Sequence, residues 1–146
     1  MIFQRLNRTD PEKIFMMVKN VEGATLTTGR AVSLVNTSTD GINAVMANAA
    51  ADYVGFIGVA KSDIINNDYG LVQTAGVVNS IYFSNAGTSV TVTINDCLIP
   101  GPNGGFFSAA APTYANSGFK CMFAIDMGTL GAISAAGYGR GLLKMF

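Results

Sequence analysis

The sequence contains no histidine among its 146 residues. Histidine is the commonest general base, the usual partner of a catalytic nucleophile and the commonest zinc ligand, so three kinds of site lose their usual residue. Cysteine is also scarce, because Cys97 and Cys121 are the only two and form no Cys-x-x-Cys motif. We therefore expect no metal site and no histidine-dependent catalysis.

Charge is the second scarcity. Charged residues make up 12% of the chain, and nine basic and nine acidic residues cancel. Nucleic-acid binding draws its affinity from clustered lysine and arginine, so we expect no nucleic-acid partner. Between Asp63 and Lys120 only Asp68 and Asp96 are charged. This neutral stretch predicts strands coated with serine and threonine, or a surface covered by protein, since charge is depleted at interface centres.

Long apolar runs are missing as well. No run approaches the roughly 20 residues that cross a membrane, and the N-terminus lacks the apolar core of a signal peptide. We therefore expect a soluble protein with no membrane partner, made in a reducing cytoplasm that keeps both thiols free. Strand alternation also argues against a disulfide, because Cys121 shares a face with Phe119 and Phe123 while Cys97 shares one with Thr91.

The carboxylates do not cluster. Asp63 and Asp68 form the closest pair in the middle of the chain, where capping of a turn is favoured over a calcium site or an acid/base pair. The glycine-rich segments Gly101–Gly105 and Gly137–Gly141 lack the strand–turn–helix context and the Lys-Ser/Thr pair of phosphate loops, so we predict turns there. These patterns indicate a protein that is not an enzyme and needs no cofactor.

Period-two alternation of apolar and polar residues is what the sequence does contain. It predicts a single, mainly β domain over residues 1–146, with little helix, closed into a barrel or a sandwich. Lys13–Lys19 is apolar on both faces, so we expect a strand buried on both sides. The other predicted strands are Gly70–Gly76, Asn79–Phe83, Ser89–Ile94, Phe119–Ile125 and Leu142–Phe146.

Glycine and alanine complicate three segments. Gly55 and Gly58 lie inside a strand pattern and predict a bulge or a close backbone approach in a strongly twisted hairpin. The alanines of Ile42–Asp52 favour a helix, although a loop packed on a sheet fits them too. Gly128–Gly141 contains too many glycines for a stable helix and predicts a loop or a distorted strand.

Two groups of residues are candidates for an interface. Phe106 and Phe107 follow a glycine-rich turn and could anchor a partner, although core packing of at least one is favoured. Residues 1–12 predict an extended N-terminal arm, either unordered or ordered on binding, with arginines suited to carboxylates; its candidate contact residues are Phe3, Arg5, Leu6 and Arg8. The tyrosines 69, 82, 114 and 138 are scattered and indicate no stacking platform.

The segments Thr28–Val32, Gly55–Ile64 and Asp68–Gly76 carry a family resemblance. Together they resemble the capsid decoration (head cement) proteins of tailed bacteriophages, over about the first half of the chain. The resemblance implies a β-barrel or β-tulip domain in the virion, assembled in the host cytoplasm. It also implies that the domain stabilises the head by binding the outer surface of the major capsid protein lattice, as a homotrimer.

Two other functions remain open from the sequence. A head-fibre or tail-associated host-adhesion domain would expose aromatic or Asn/Asp pockets for glycans. A small-ligand-binding β-barrel would instead carry its ligand inside the barrel. Binding to expanded capsids, binding to host cells and copurification with a ligand distinguish the three.

Overall fold

A computed structural model describes residues 12–35, 37, 40–48, 55–83, 97–108, 122–126 and 137–143. This part of the chain contains nine strands, one 3-10 turn (Pro102–Gly104) and no α-helix, which confirms the mainly β prediction. The strands are β1 (Ile14–Asn20), β2 (Ala31–Leu34), β3 (Asn43–Met46), β4 (Phe56–Ala60), β5 (Tyr69–Phe83), β6 (Cys97–Pro100), β7 (Phe106–Ser108), β8 (Met122–Asp126) and β9 (Gly137–Leu143).

The first five strands close into a barrel. Their order is β1-β3-β2-β4-β5, and β5 returns to pair with β1. The β1–β5 pair is antiparallel, from Ile14 opposite Ala75 to Lys19 opposite Tyr69. The β1–β3 pair is parallel, and the other three pairs of the ring are antiparallel. Of the two architectures that the alternation allowed, the protein adopts the barrel.

The long strand β5 is shared by two groups of strands. Its first half pairs with β1 and β4, and its second half pairs with β9 from Gly76 to Phe83. Gly76 stands where the partners change, with a φ of 90°, and a Cβ there would collide with the carbonyl oxygen of Glu12. Only glycine combines this φ with such a close backbone approach.

The later strands form a second circuit of pairs on the far half of β5. Its order is β5-β7-β6-β8-β9, and β9 pairs antiparallel with β5. A single parallel pair, Phe83 opposite Phe106, joins β5 to β7. Both circuits therefore depend on β5, which is why the two halves of the chain are held together.

Two apolar clusters fill the described molecule. One lies inside the barrel and comprises Val18, Leu26, Val32, Ala44, Ala60, Ile64 and Val72. The other contains Ala31 and Val59 from the barrel together with Val78, Ile81, Phe83, Leu98, Phe106 and Leu143. Neighbours along one strand point to opposite faces, so Ala31 and Val59 lie on the outer side of the barrel. The second cluster is therefore the contact between the barrel and the later strands.

The alanine-rich segment that favoured a helix contains a strand instead. Asn43–Met46 pairs with β1 on one side and with β2 on the other, so the described part of the predicted Ile42–Asp52 element is sheet. Ala44 is completely buried inside the barrel, where a small side chain fits the crowded interior. Tertiary packing overrides the helix propensity of alanine here.

The glycine predictions have mixed outcomes. Gly58 lies in β4, and a Cβ there would collide with the carbonyl oxygen of Gln73 on the paired strand, which confirms the close approach. Gly101–Gly105 contains the 3-10 turn, as predicted. The turn predicted at Gly137–Gly141 is wrong, because these residues belong to β9, whose pairing with β8 shifts register beside Asp126. The distorted strand was the correct alternative.

Several predictions fall outside the described residues. The strand Ser89–Ile94 and Cys121 are among them. Cys97 begins β6 and lies opposite Phe123 of β8. The free state of both thiols therefore stays a prediction. Among the described residues, no helix is long and apolar enough to cross a membrane.

Candidate interaction surface

The outer side of β1 carries large apolar side chains that the described chain leaves uncovered. Val18 is completely buried and Met16 packs beside it inside the barrel. Phe15 and Met17 alternate with them and point outward, where Met17 is 62% exposed. The prediction that Lys13–Lys19 is buried on both sides is therefore wrong for the single chain, since only the inner face is covered.

The neighbouring part of β5 continues this surface. Val72 points into the barrel, so Tyr69 and Leu71 point outward, with exposed fractions of 56% and 42%. Gly70 lies between them on the inner side, where a Cβ would collide with the side chain of Ile64. The inner packing at Gly70 thus holds the strand in the register that presents Tyr69 and Leu71 to solvent.

Strand pairing brings the two outer rows together. Met17 lies opposite Leu71, and Lys19 lies opposite Tyr69. We define the β1–β5 face as the outward residues Phe15, Met17, Tyr69 and Leu71. Single exposed apolar residues are ordinary, but a contiguous group on adjacent strands is typical of an interaction surface. Ile14 and Ile65 add further exposed apolar surface near its ends.

The rim of the β1–β5 face is polar. Lys19 follows Met17 by two residues on the same outer row, and the backbone nitrogen of Lys61 donates to the carbonyl oxygen of Leu71 over 3.0 Å. Asp68 precedes Tyr69, and its carboxylate accepts a 2.8 Å hydrogen bond from the Tyr69 backbone nitrogen. An apolar centre with a charged edge is the usual arrangement of a protein interface.

The interface residues predicted from the sequence do not form this surface. Phe106 is completely buried and packs edge-on against Phe56, with ring centroids 5.8 Å apart. The exposed-anchor hypothesis is therefore wrong for Phe106, and the favoured core packing of at least one of the pair is confirmed. Phe107 lies in β7, and its side chain is outside the description, as are Phe3, Arg5, Leu6 and Arg8.

Asp63 and Asp68 act in local structure. Two hydrogen bonds from Thr28, from its backbone nitrogen (2.7 Å) and from its hydroxyl (2.8 Å), reach Oδ1 of Asp63. These bonds stabilise the ionised form and hold the pKa of Asp63 below its ordinary value of 3.8. The bonds join Asp63 to a loop 35 residues away, so they do not cap the turn between Asp63 and Asp68 that the sequence suggested. No group of three or more potential metal ligands comes together among the described residues.

The pairing of β5 with β9 brings two of the tyrosines together. Tyr82 lies opposite Tyr138, with ring centroids 5.4 Å apart, and the guanidinium of Arg30 lies 4.5 Å from the centre of the Tyr82 ring. Arg30 also donates to the carbonyl oxygen of Asn103. The prediction that the tyrosines are scattered is thus wrong for this pair. The sequence carries no signal for the contact, because it depends on the register of two distant strands.

No protein-family model matches the chain, and no curated protein matches its sequence significantly.

Proposed function

We propose that the protein is a structural component of a bacteriophage virion, a decoration protein that binds the outer surface of the major capsid protein lattice and stabilises the head. The observation that carries the proposal is the β1–β5 face, an apolar surface on a rigid barrel with no covering in the described chain. The resemblance to head cement proteins suggests the kind of assembly, and Tyr69 and Leu71 lie within its Asp68–Gly76 segment.

The mechanism of such a protein is burial of surface rather than chemistry. Each large apolar side chain that becomes fully buried contributes about 1.5–3 kcal/mol, before the costs of association. A barrel closed by backbone hydrogen bonds loses little further conformational freedom when it docks, so more of this energy appears as affinity. A trimer would present three copies of the face to the lattice at once, which would strengthen its attachment.

Two charge substitutions test the role of the face. In the double variant Met17→Lys with Leu71→Lys, we expect occupancy of heads lacking the protein to fall by about tenfold or more, because two ammonium groups would have to be desolvated on docking. Tyr138→Lys is the control, since Tyr138 is similarly exposed (54%) but lies on β9, away from the face. Copies bound per capsid subunit and sedimentation of the free protein are the measurements.

Two different failures are distinguishable in this experiment. If the wild-type protein does not bind heads at all, the decoration role is wrong. If it binds and the double variant reaches the same occupancy with an unchanged melting temperature, the role stands and the face is the wrong surface. The N-terminal arm and its residues Phe3, Arg5, Leu6 and Arg8 stay a prediction in either case.

A host-adhesion domain is the second candidate, and one observation favours it. Tyr138 is 54% exposed beside Tyr82, and exposed aromatic rings are common where proteins bind sugars. An adhesin would bind host cells and lose that binding in Tyr138→Ala. A carrier of small ligands is less well supported, because the apolar cluster around Val18, Val32 and Val72 occupies the barrel interior.

A further inference from the structure

A small cavity opens at the junction of the barrel and the second half of β5. Its volume is about 120 Å³, room for a group larger than one water molecule. Apolar residues of β4 and β5 line it together with six polar residues: Lys13, Thr28, Lys61, Gln73, Asn79 and Ser80. Lysine, amide and hydroxyl groups thus surround a partly apolar cavity.

A bulge in β5 brings two of these polar residues to the cavity. Val78 lies opposite Gly141 and Ile81 opposite Gly139, so Asn79 and Ser80 together face a single residue of β9. Such a bulge re-aims side chains and is over-represented beside functional sites. The strand therefore departs from regular pairing at the point where it lines the cavity.

Hydrogen bonds hold the remaining walls in place. The side-chain nitrogen of Gln73 donates to the carbonyl oxygens of Ala75 (3.1 Å) and Val77 (3.0 Å). The loop that carries Thr28 is fixed by Gly29, whose nitrogen donates to the carbonyl oxygen of Ala60 over 3.0 Å. These bonds fix the Gln73 side chain and the backbone beside Thr28, so this part of the wall is formed before a ligand enters.

The charges at the cavity select the sign of a ligand. Among the described residues that line it, two are lysines and none is a carboxylate. The nearest acidic group in the hydrogen-bond network is Asp63, which is bonded to the lining residue Thr28. Two lysines and no carboxylate in the lining favour an anion, and the small volume of the cavity favours a small one.

We propose that this cavity binds a carboxylate group between Lys13 and Lys61, with Asn79 and Ser80 as further hydrogen-bond donors. A carboxylate is small, singly charged and accepts several hydrogen bonds at once. The carboxylate comes either from a free short-chain acid or from an acidic side chain of a protein. The site does not depend on the capsid role.

Titration with sodium acetate tests the site on the full-length protein. The backbone amide shifts of Lys61, Asn79 and Ser80 are followed by NMR, with sodium chloride at equal ionic strength as the reference. We expect saturation with a dissociation constant of about a millimolar, as suits so small a ligand. Acetamide has the same shape without the charge and should produce no saturable shift.

Three lysine variants locate the binding. Lys13→Gln and Lys61→Gln should each weaken acetate binding by about fivefold to tenfold, the loss of one charge-assisted hydrogen bond. Lys19→Gln is the control, since Lys19 lies on β1 but does not line the cavity. Equal weakening by all three variants would show general attraction to positive charge and would overturn the site.

One more probe identifies the source of the carboxylate. If N-acetyl-aspartate N-methylamide saturates the same amides as acetate does, a side chain presented by a polypeptide can enter the cavity. If acetate alone saturates them, the ligand is a free acid. Both results support a carboxylate site. The proposal is overturned if acetate behaves as chloride does, if acetamide binds equally well, or if inorganic phosphate binds more tightly than acetate.

Discussion

The barrel has two apolar outer faces, and they differ in what covers them. On β2 and β4, Ala31 and Val59 point outward and are completely buried by the strands of the second half. On β1 and β5, Met17 and Leu71 also point outward but remain exposed. The outward apolar residues of the barrel therefore fall into two groups: one joins the barrel to the later strands, and the other stays uncovered in the described chain.

The side chains of the two faces also differ in size. On the covered face the completely buried residues Ala31 and Val59 are small, and they lie beside the partly buried ring of Phe56. The β1–β5 face contributes larger ones, Phe15, Met17, Tyr69 and Leu71, which offer more apolar area to an incoming surface. The comparison predicts that the same substitution has very different effects on the two faces.

A carboxylate on each face should separate them most strongly. Ala31→Asp places an unpaired charge in a completely buried site, and we expect it to lower the free energy of unfolding by about 4 kcal/mol or more, enough to prevent folding. Leu71→Asp should change it by about 0.5 kcal/mol or less, because the side chain is exposed. Urea unfolding of both variants measures this, and equal destabilisation would erase the distinction between the faces.

The next largest effect is expected at Gly76, where β5 changes its pairing partner from β1 to β9. We expect Gly76→Ala to lower the free energy of unfolding by about 3 kcal/mol, because a Cβ collides with the Glu12 carbonyl in addition to the unfavourable φ. Gly23→Ala is the control, since Gly23 has a similar φ of 86° but open space around its Cβ position. It should cost only about 1 kcal/mol. A Gly76 variant no less stable than the Gly23 variant would contradict the crowding argument.

A smaller effect is expected at Arg30, whose polar contacts help to join the barrel to the later part of the chain. Arg30→Met removes the hydrogen bond to the Asn103 carbonyl and the contact with the Tyr82 ring. We expect a loss of about 1–2 kcal/mol in thermal unfolding, since part of the apolar stem is retained. Arg30→Lys should recover part of this loss by restoring the charge above the ring. If the methionine variant were as stable as the wild type, apolar packing alone would attach the later strands to the barrel.

The smallest effect is the dependence of stability on acidic pH, through the carboxyl group of Asp63. The folded-state pKa of Asp63 lies below 3.8, so folding favours its ionised form. Its contribution to stability is therefore present above pH 3.8 and disappears as the pH falls through the lower, folded-state pKa. NMR titration of the Asp63 carboxyl should show this pKa. Thr28→Val should raise it only partly, because the larger cause, the backbone hydrogen bond, remains. A full return to 3.8 in that variant would contradict this order of causes.

Local patterns in the sequence were enough to predict the mainly β fold and the positions of several strands and glycines. The apolar run between Lys13 and Lys19 predicted β1, and glycine inside a strand pattern predicted the close approach at Gly58, because both signals act between near neighbours on a pleated backbone. The same local rules failed in the described part of Ile42–Asp52, where Ala44 lies in a strand and fits the crowded barrel interior.

Which apolar faces are covered depends instead on the packing of the whole chain. Val59 and Leu71 are both apolar residues of strands, and nothing local distinguishes the one that the second half buries from the one that it leaves exposed. The difference arises because β5 changes partners at Gly76 and carries the later strands to one side of the barrel. Likewise, Lys13 and Lys61 meet at one cavity, and Tyr82 meets Tyr138, only through pairing between strands far apart in sequence. Such contacts depend on register and on the path of the whole chain, which no local pattern encodes.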